Sequence, residues 1–156
     1  MTEDEIIEFA TGLPGVVTTT ADEASGAPES AWGDSFFFYD PDGDTEPDKR
    51  WPFATILVSD YPGFDESSQL SRPGVFRLNI NVGRTAFEEL FGYSPAAHAG
   101  HANEFDNAAL DQLLPHPAYA AQAWVSILNP DRLGSRAKGL LTQAHERAAK
   151  RHRPRT

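Results

Sequence analysis

The chain has 156 residues, 40% of them hydrophobic and 11% aromatic, enough for one ordinary domain whose core needs no disulfide or metal staple. It contains no cysteine, which excludes disulfides, zinc-finger sites, iron–sulfur clusters and a thiol nucleophile. The net charge of −10 is uneven: residues 132–156 carry eight of the 13 Lys and Arg against one acid, Glu146, while residues 1–131 carry the other five against 22 acids.

An acidic body repels a phosphate backbone, so nucleic acid is not an expected partner. The basic end (Arg147, Lys150, Arg151, Arg153, Arg155) suits the negative end of a helix dipole and reads as a solvated helix terminus, with contact to an anion or an acidic partner as the alternative. The opening Met1-Thr2-Glu3-Asp4-Glu5 has no basic region followed by an apolar run, and no apolar run approaches the roughly 20 residues of a membrane span. The expectation is a cytoplasmic protein with no membrane partner, folded as a single domain over 1–152 with a basic tail at 153–156.

In chain order, Glu3 to Thr11 reads as a helix. Thr2 and Glu5 form a capping-box pattern, and Ile6, Ile7, Phe9 and Ala10 make the apolar stripe. Val16 to Thr20 is β-branched throughout and predicts a strand. Trp32 to Tyr39 predicts a second strand, with aromatics on both faces and therefore cover on both. Asp40-Pro41-Asp42-Gly43-Asp44 is a turn-rich acidic loop running to Lys49-Arg50; its spacing lacks the glutamate of an EF-hand and favours a solvated hairpin. Phe53 to Asp60 predicts a third strand, Tyr61 to Asp65 a turn, and Glu66 to Leu70 a short helical piece.

The best-patterned stretch follows. Phe76, Leu78, Ile80 and Val82 alternate with Arg77, Asn79 and Asn81, so a strand here has one apolar face and one polar row about 13 Å long. Thr85 to Phe91 is a helix with Gly92 as its C-cap, residues 93–106 are an irregular insertion, and 107–114 reads as one or two helical turns. Ala123 to Leu128 is the last strand. Ser135 to Arg151 is the closing helix, with Leu140, Leu141, Ala144 and Ala148 as its buried stripe. The fold class is α+β: a curved antiparallel sheet of about five strands, with N-terminal, middle and C-terminal helices packed mainly on one face.

Three stretches, Trp32-Gly33-Asp34-Ser35-Phe36-Phe37-Phe38-Tyr39, Arg72-Pro73-Gly74-Val75-Phe76-Arg77-Leu78-Asn79 and Pro115-His116-Pro117-x-Tyr119 leading to Trp124-Val125-Ser126, together with Leu140-Leu141 and Ala144-His145, resemble an uncharacterised bacterial family of domain-of-unknown-function proteins. More distantly the chain is similar to the MmcQ/YjbR-like domain, with its "Trp-Gly" strand, meander, "Trp-Val" strand and final helix. The resemblance implies a small α+β fold with helices on one face of a curved sheet, and it brings no activity.

No Gly-rich phosphate loop and no G-x-S-x-G nucleophile frame occurs, and no cofactor is implied. The polar row therefore leads the candidates. On that face Arg77, Asn79 and Asn81 join Thr55, Ser126, Trp32 and Trp124 as ligand-binding candidates, Arg77 meeting a carboxylate or phosphate and a tryptophan stacking on a planar or sugar-like group. Water facing the row is the plain alternative. An enzyme reading makes His116, held between Pro115 and Pro117, an acid or base with Tyr119 or Asp34; a turn histidine is its structural counterpart. A third reading pairs the sheet face with a second copy in a homodimer or with another protein. His98 and His101 are weak metal-ligand candidates, their flanking Ala and Gly suggesting solvent-exposed loop histidines instead.

Overall fold

The computed structural model describes residues 1–46 and 50–152. The Lys49 end of the acidic loop and the basic tail at 153–156 lie outside the described residues. Helix α1 (Glu3–Thr11) is followed by β1 (Val16–Thr20), β2 (Ser35–Tyr39), β3 (Ala54–Leu57), β4 (Arg77–Asn81), α2 (Arg84–Phe91), β5 (Leu113–Pro115), β6 (Trp124–Leu128) and α3 (Gly134–Arg151). The capping box of α1 forms in full, with the Glu5 amide donating to Thr2 Oγ1 and the Thr2 amide to the Glu5 carboxylate. Gly92 closes α2 in the left-handed conformation that a side chain resists.

The six strands make one open antiparallel sheet in the order β1-β2-β3-β4-β6-β5. The sixth strand is the edge strand β5, where helical turns were expected at 107–114. Asp111 takes a positive φ of 53°, incompatible with a continuing helix, and Leu113 to Pro115 then pair with Val125 to Ile127. Pro115 is tolerated because this is an edge. The third strand ends at Leu57, since beyond it the chain leaves the sheet to form a long loop, residues 58–76, with no helical piece at Glu66–Leu70. Trp32 lies outside the second strand, just after a 3-10 turn at Glu29–Ala31.

Register assigns the faces. Leu78 and Ile80 of β4 sit beside Ile56 and Ala54 of β3 and beside Ile127 and Val125 of β6. These residues join Phe37 in the main core, closed by Ile6 and Ala10 of α1 and by Ala137, Leu140, Leu141 and Ala144 of α3. The His145 ring stacks edge-on against Tyr39 and Phe53 and hydrogen-bonds the carbonyl of Pro14, tying α3 to the turn after α1. Two-residue periodicity puts Phe36, Phe38, Thr55, Leu57, Arg77, Asn79, Asn81, Trp124 and Ser126 on the opposite face. Among the described residues no helix is long and apolar enough to cross a membrane.

The aromatic run of β2 thus divides. Phe37 is fully buried under the helices, whereas Phe36 and Phe38 are half-buried on a face that the helices leave open. Phe37→Ala should cost about 3–5 kcal/mol in chemical denaturation, as large-to-small changes in a packed core do. Phe38→Ala should cost about 1 kcal/mol, because much of that ring is already wet.

Candidate functional site

The polar row of β4 has two ends with different surroundings. At the N-terminal end the 58–76 loop folds back over Arg77 and Asn79, and both are completely buried. The Arg77 guanidinium donates to both carboxylate oxygens of Asp65, at 2.9 and 2.6 Å, to Ser68 Oγ and to Asn79 Oδ1. Asn79 passes the network sideways, donating to Thr55 Oγ1 of β3 and accepting from Ser126 Oγ of β6. Burial pushes the Asp65 carboxyl up, but the hydrogen bonds and charge of Arg77 outweigh it and hold the group below the usual carboxylate range.

Arg77 is therefore not presented to a carboxylate or phosphate from solution. A bidentate pair has taken that role from inside the chain, because a buried guanidinium without a partner would cost far more than the loop needed to supply one. Asn79 and Ser126 are committed to the same network. The loop is pinned from its outer side by Arg72, which donates to the carbonyls of Gln69, Ser68 and Ala108, and by Asp60, which accepts the Leu70 amide.

At the C-terminal end the same row opens. Asn81 lines a cleft of about 950 Å³ that runs along this sheet face and round the strand ends to the last turns of α3. Its floor is Phe36, Phe38, Thr55 and Trp124; one wall is Arg50 to Pro52, another Tyr61, Phe64, His116 and Tyr119, and α3 contributes Arg147 and Arg151. Trp51, Phe64 and Tyr119 are 88%, 60% and 45% exposed, so the rim is aromatic and wet. The lining is mainly apolar, with a few fixed polar groups.

Of the residues singled out in the sequence, Thr55, Asn81, Trp124, His116 and Tyr119 line this cleft. Arg77, Asn79 and Ser126 lie beneath it as a buried network. Trp32 is elsewhere, its indole N–H donating to the carbonyl of Ala27. Asp34 is buried, and accepts the Val58 amide and, at 2.6 Å, the Tyr61 hydroxyl; burial raises its pKa despite both bonds. Burial and the hydrogen bond to Asp34 also push Tyr61 up, so the phenol stays protonated. His98 contacts the Tyr93 hydroxyl, while the His101 ring stacks on Tyr93 and pairs with Glu104. Among the described residues no three His, Asp or Glu side chains converge as metal ligands.

His116 caps a turn. Its Nδ1 accepts the amides of Ala118 and Tyr119, both at 2.9 Å, as an Asx side chain would. The neutral ring therefore carries its proton on Nε2, and protonating Nδ1 would break both bonds. Burial, and then the Arg77 charge 3.5 Å from Nε2, lower its pKa to about 3. At neutral pH the ring is thus uncharged, and its Nδ1 serves as the acceptor for the turn.

The residues missed in the sequence are Trp51, Phe64 and Arg50, which lie in loops, and Phe36 and Phe38. The all-aromatic run of β2 was the signal for the last two: an aromatic face has to meet something, and here the helices do not reach it.

The family model that matches the chain, over residues 1–156, is that of a family of unknown function, DUF6194, and the chain belongs to it. No curated protein and no solved structure matches.

The histidine sets a pH dependence. With a folded pKa near 3 and an unfolded value near 6.5, the unfolded chain binds a proton first as pH falls. Stability is thus fully present above about pH 6.5 and lost progressively between there and about pH 3, by up to about 1.4 kcal/mol per pH unit. His116→Asn keeps an acceptor for the two amides but does not titrate. Urea denaturation between about pH 7 and pH 5 should show a shallower loss in the variant. The raised pKa of Asp34 has the opposite sign, and the lowered one of Asp65 acts at lower pH, but both groups are common to the two proteins; identical slopes would contradict the assignment.

Proposed function

We propose that this member of DUF6194 binds a small molecule in the cleft on the open sheet face. The observation that carries the reading is the division of the polar row: its buried end fixes the floor, and its open end lies in a recess of about 950 Å³ lined by aromatic rings. Ligand sites need such a floor, because a side chain whose rotamer is locked from behind holds its polar atom in place before the ligand arrives. Thr55 meets that description. Its Oγ1 accepts from buried Asn79, leaving its own proton free for a ligand acceptor.

The polar atoms offered to the cleft are mostly donors: Thr55 Oγ1–H and the arginine groups of α3. Trp124, half-buried on the floor, and Tyr119 at the rim suit a planar group. His116 serves here by fixing the Tyr119 turn, since its basic nitrogen is already committed to two backbone amides.

A neutral fluorescent probe tests the reading. Phenylnaphthylamine should bind the folded protein at one saturable site, with energy transfer from tryptophan. Trp124→Ala should weaken it about tenfold, a loss of about 1.4 kcal/mol that fits one aromatic contact. Trp32→Phe, outside the cleft, should leave affinity unchanged. Absence of saturable binding, or equal effects of the two substitutions, would remove the cleft as a ligand site.

A further inference from the structure

The cleft has an uneven distribution of charge. Among its described lining residues the one carboxylate is Asp65, already paired with Arg77, and on the opposite wall Arg50 pairs with Asp40 and lies over the Phe38 ring. The arginines of α3 differ. Arg147 and Arg151 stand four residues apart, so they share a helix face, and both line the cleft and the smaller recess next to it. No ion pair among the described residues involves either of them.

Arg147 is also held in place. Its guanidinium packs on Gly83, which has φ 83°, and a Cβ there would lie 2.4 Å from Cζ. Its Nη1 lies 3.5 Å from the carbonyl of Asn81, a contact at the limit of hydrogen bonding. Burial and then the charge of Arg151 both work against its protonated form. A half-buried, positioned cation with a like-charged neighbour and, among the described residues, no paired acid is unusual in a chain with 23 Asp and Glu and 13 Lys and Arg. Register adds the neighbour that matters: Asn81, which Arg147 touches, is directly opposite Trp124.

We infer that the cleft takes a planar ligand bearing an anionic group, a carboxylate or a phosphate, with the ring against Trp124 and the anion against Arg147 and Arg151. The inference rests on the small-molecule reading above and names the chemistry of that ligand. The anion supplies a counter-charge that none of the described residues gives these two arginines, and a guanidinium fork is well matched to either oxyanion. The other wall offers no equivalent, because Arg50 is already neutralised.

Two dyes of similar shape separate the terms: anilinonaphthalene sulfonate, which is anionic, and phenylnaphthylamine, which is neutral. Arg151 is exposed, so Arg151→Glu should preserve the fold, verified by an unchanged thermal midpoint. Arg151→Glu, and Arg147→Gln combined with Arg151→Gln, should each weaken the anionic dye about tenfold or more and the neutral dye less than about twofold. Added salt should weaken the anionic dye alone. Displacement of that dye by naphthyl phosphate or naphthoate supports the inference and identifies the headgroup. Equal effects on the two dyes, or none on the anionic one, overturn it. If the neutral dye still binds through Trp124 in that event, only the anion assignment fails; if neither dye binds wild-type protein, the cleft reading fails with it.

Discussion

The pairing of Arg77 with Asp65 is the constraint on which the rest of this structure depends. A guanidinium on the second face of a central strand has two stable arrangements, in water or against a carboxylate, and this chain uses the second. Both side chains are essentially out of solvent, and the pair is bidentate. Its cost is desolvation, which Coulomb attraction alone rarely recovers; the extra bonds to Ser68 and Asn79 complete the donor set. The gain is definition: with Asp65 fixed, the 58–76 loop has one place to lie.

That placement creates the cleft. The loop covers the Leu57, Arg77 and Leu128 end of the open face, where Leu70, Leu114 and Leu128 form a second small core. It stops short of the Asn81 and Trp124 end. Helices close the opposite face, so the uncovered half becomes a recess between the loop, the β2–β3 connection, the His116 turn and the end of α3. A buried network at one end of a strand thereby supports the floor of the cleft at the other, with Asn79 and Thr55 as the link between them.

How much of this was legible in the sequence follows from the range of each interaction. Capping at Thr2 and Glu5, termination at Gly92 and the alternation of residues 76–82 are local, and the structure has them where the pattern placed them. The burial of the polar row was not legible. Asp65 lies 12 residues before Arg77 in a stretch without periodicity, and alternation is silent about what covers a face. The edge strand β5 was hidden because three residues, the last of them Pro115, carry no period of their own. Arg147 and Arg151 read as an ordinary basic helix end, and only the register of Asn81 against Trp124 shows what that end approaches. His116 was recognised as a held ring, but the two amides it accepts, which fix its protonation, are visible only once the turn is built.

The central claim is that Arg77 and Asp65 form a buried clamp rather than a ligand contact, and a double-mutant cycle measures it most directly. Arg77→Met and Asp65→Leu, singly and together, are compared by chemical denaturation. Each single change strands one buried charge and should cost about 3–5 kcal/mol, while the pair should cost far less than their sum, a coupling of about 2 kcal/mol or more. A coupling below about 0.5 kcal/mol, with each single variant close to wild type in stability, would mean that the two groups act independently in solvent and would contradict the account.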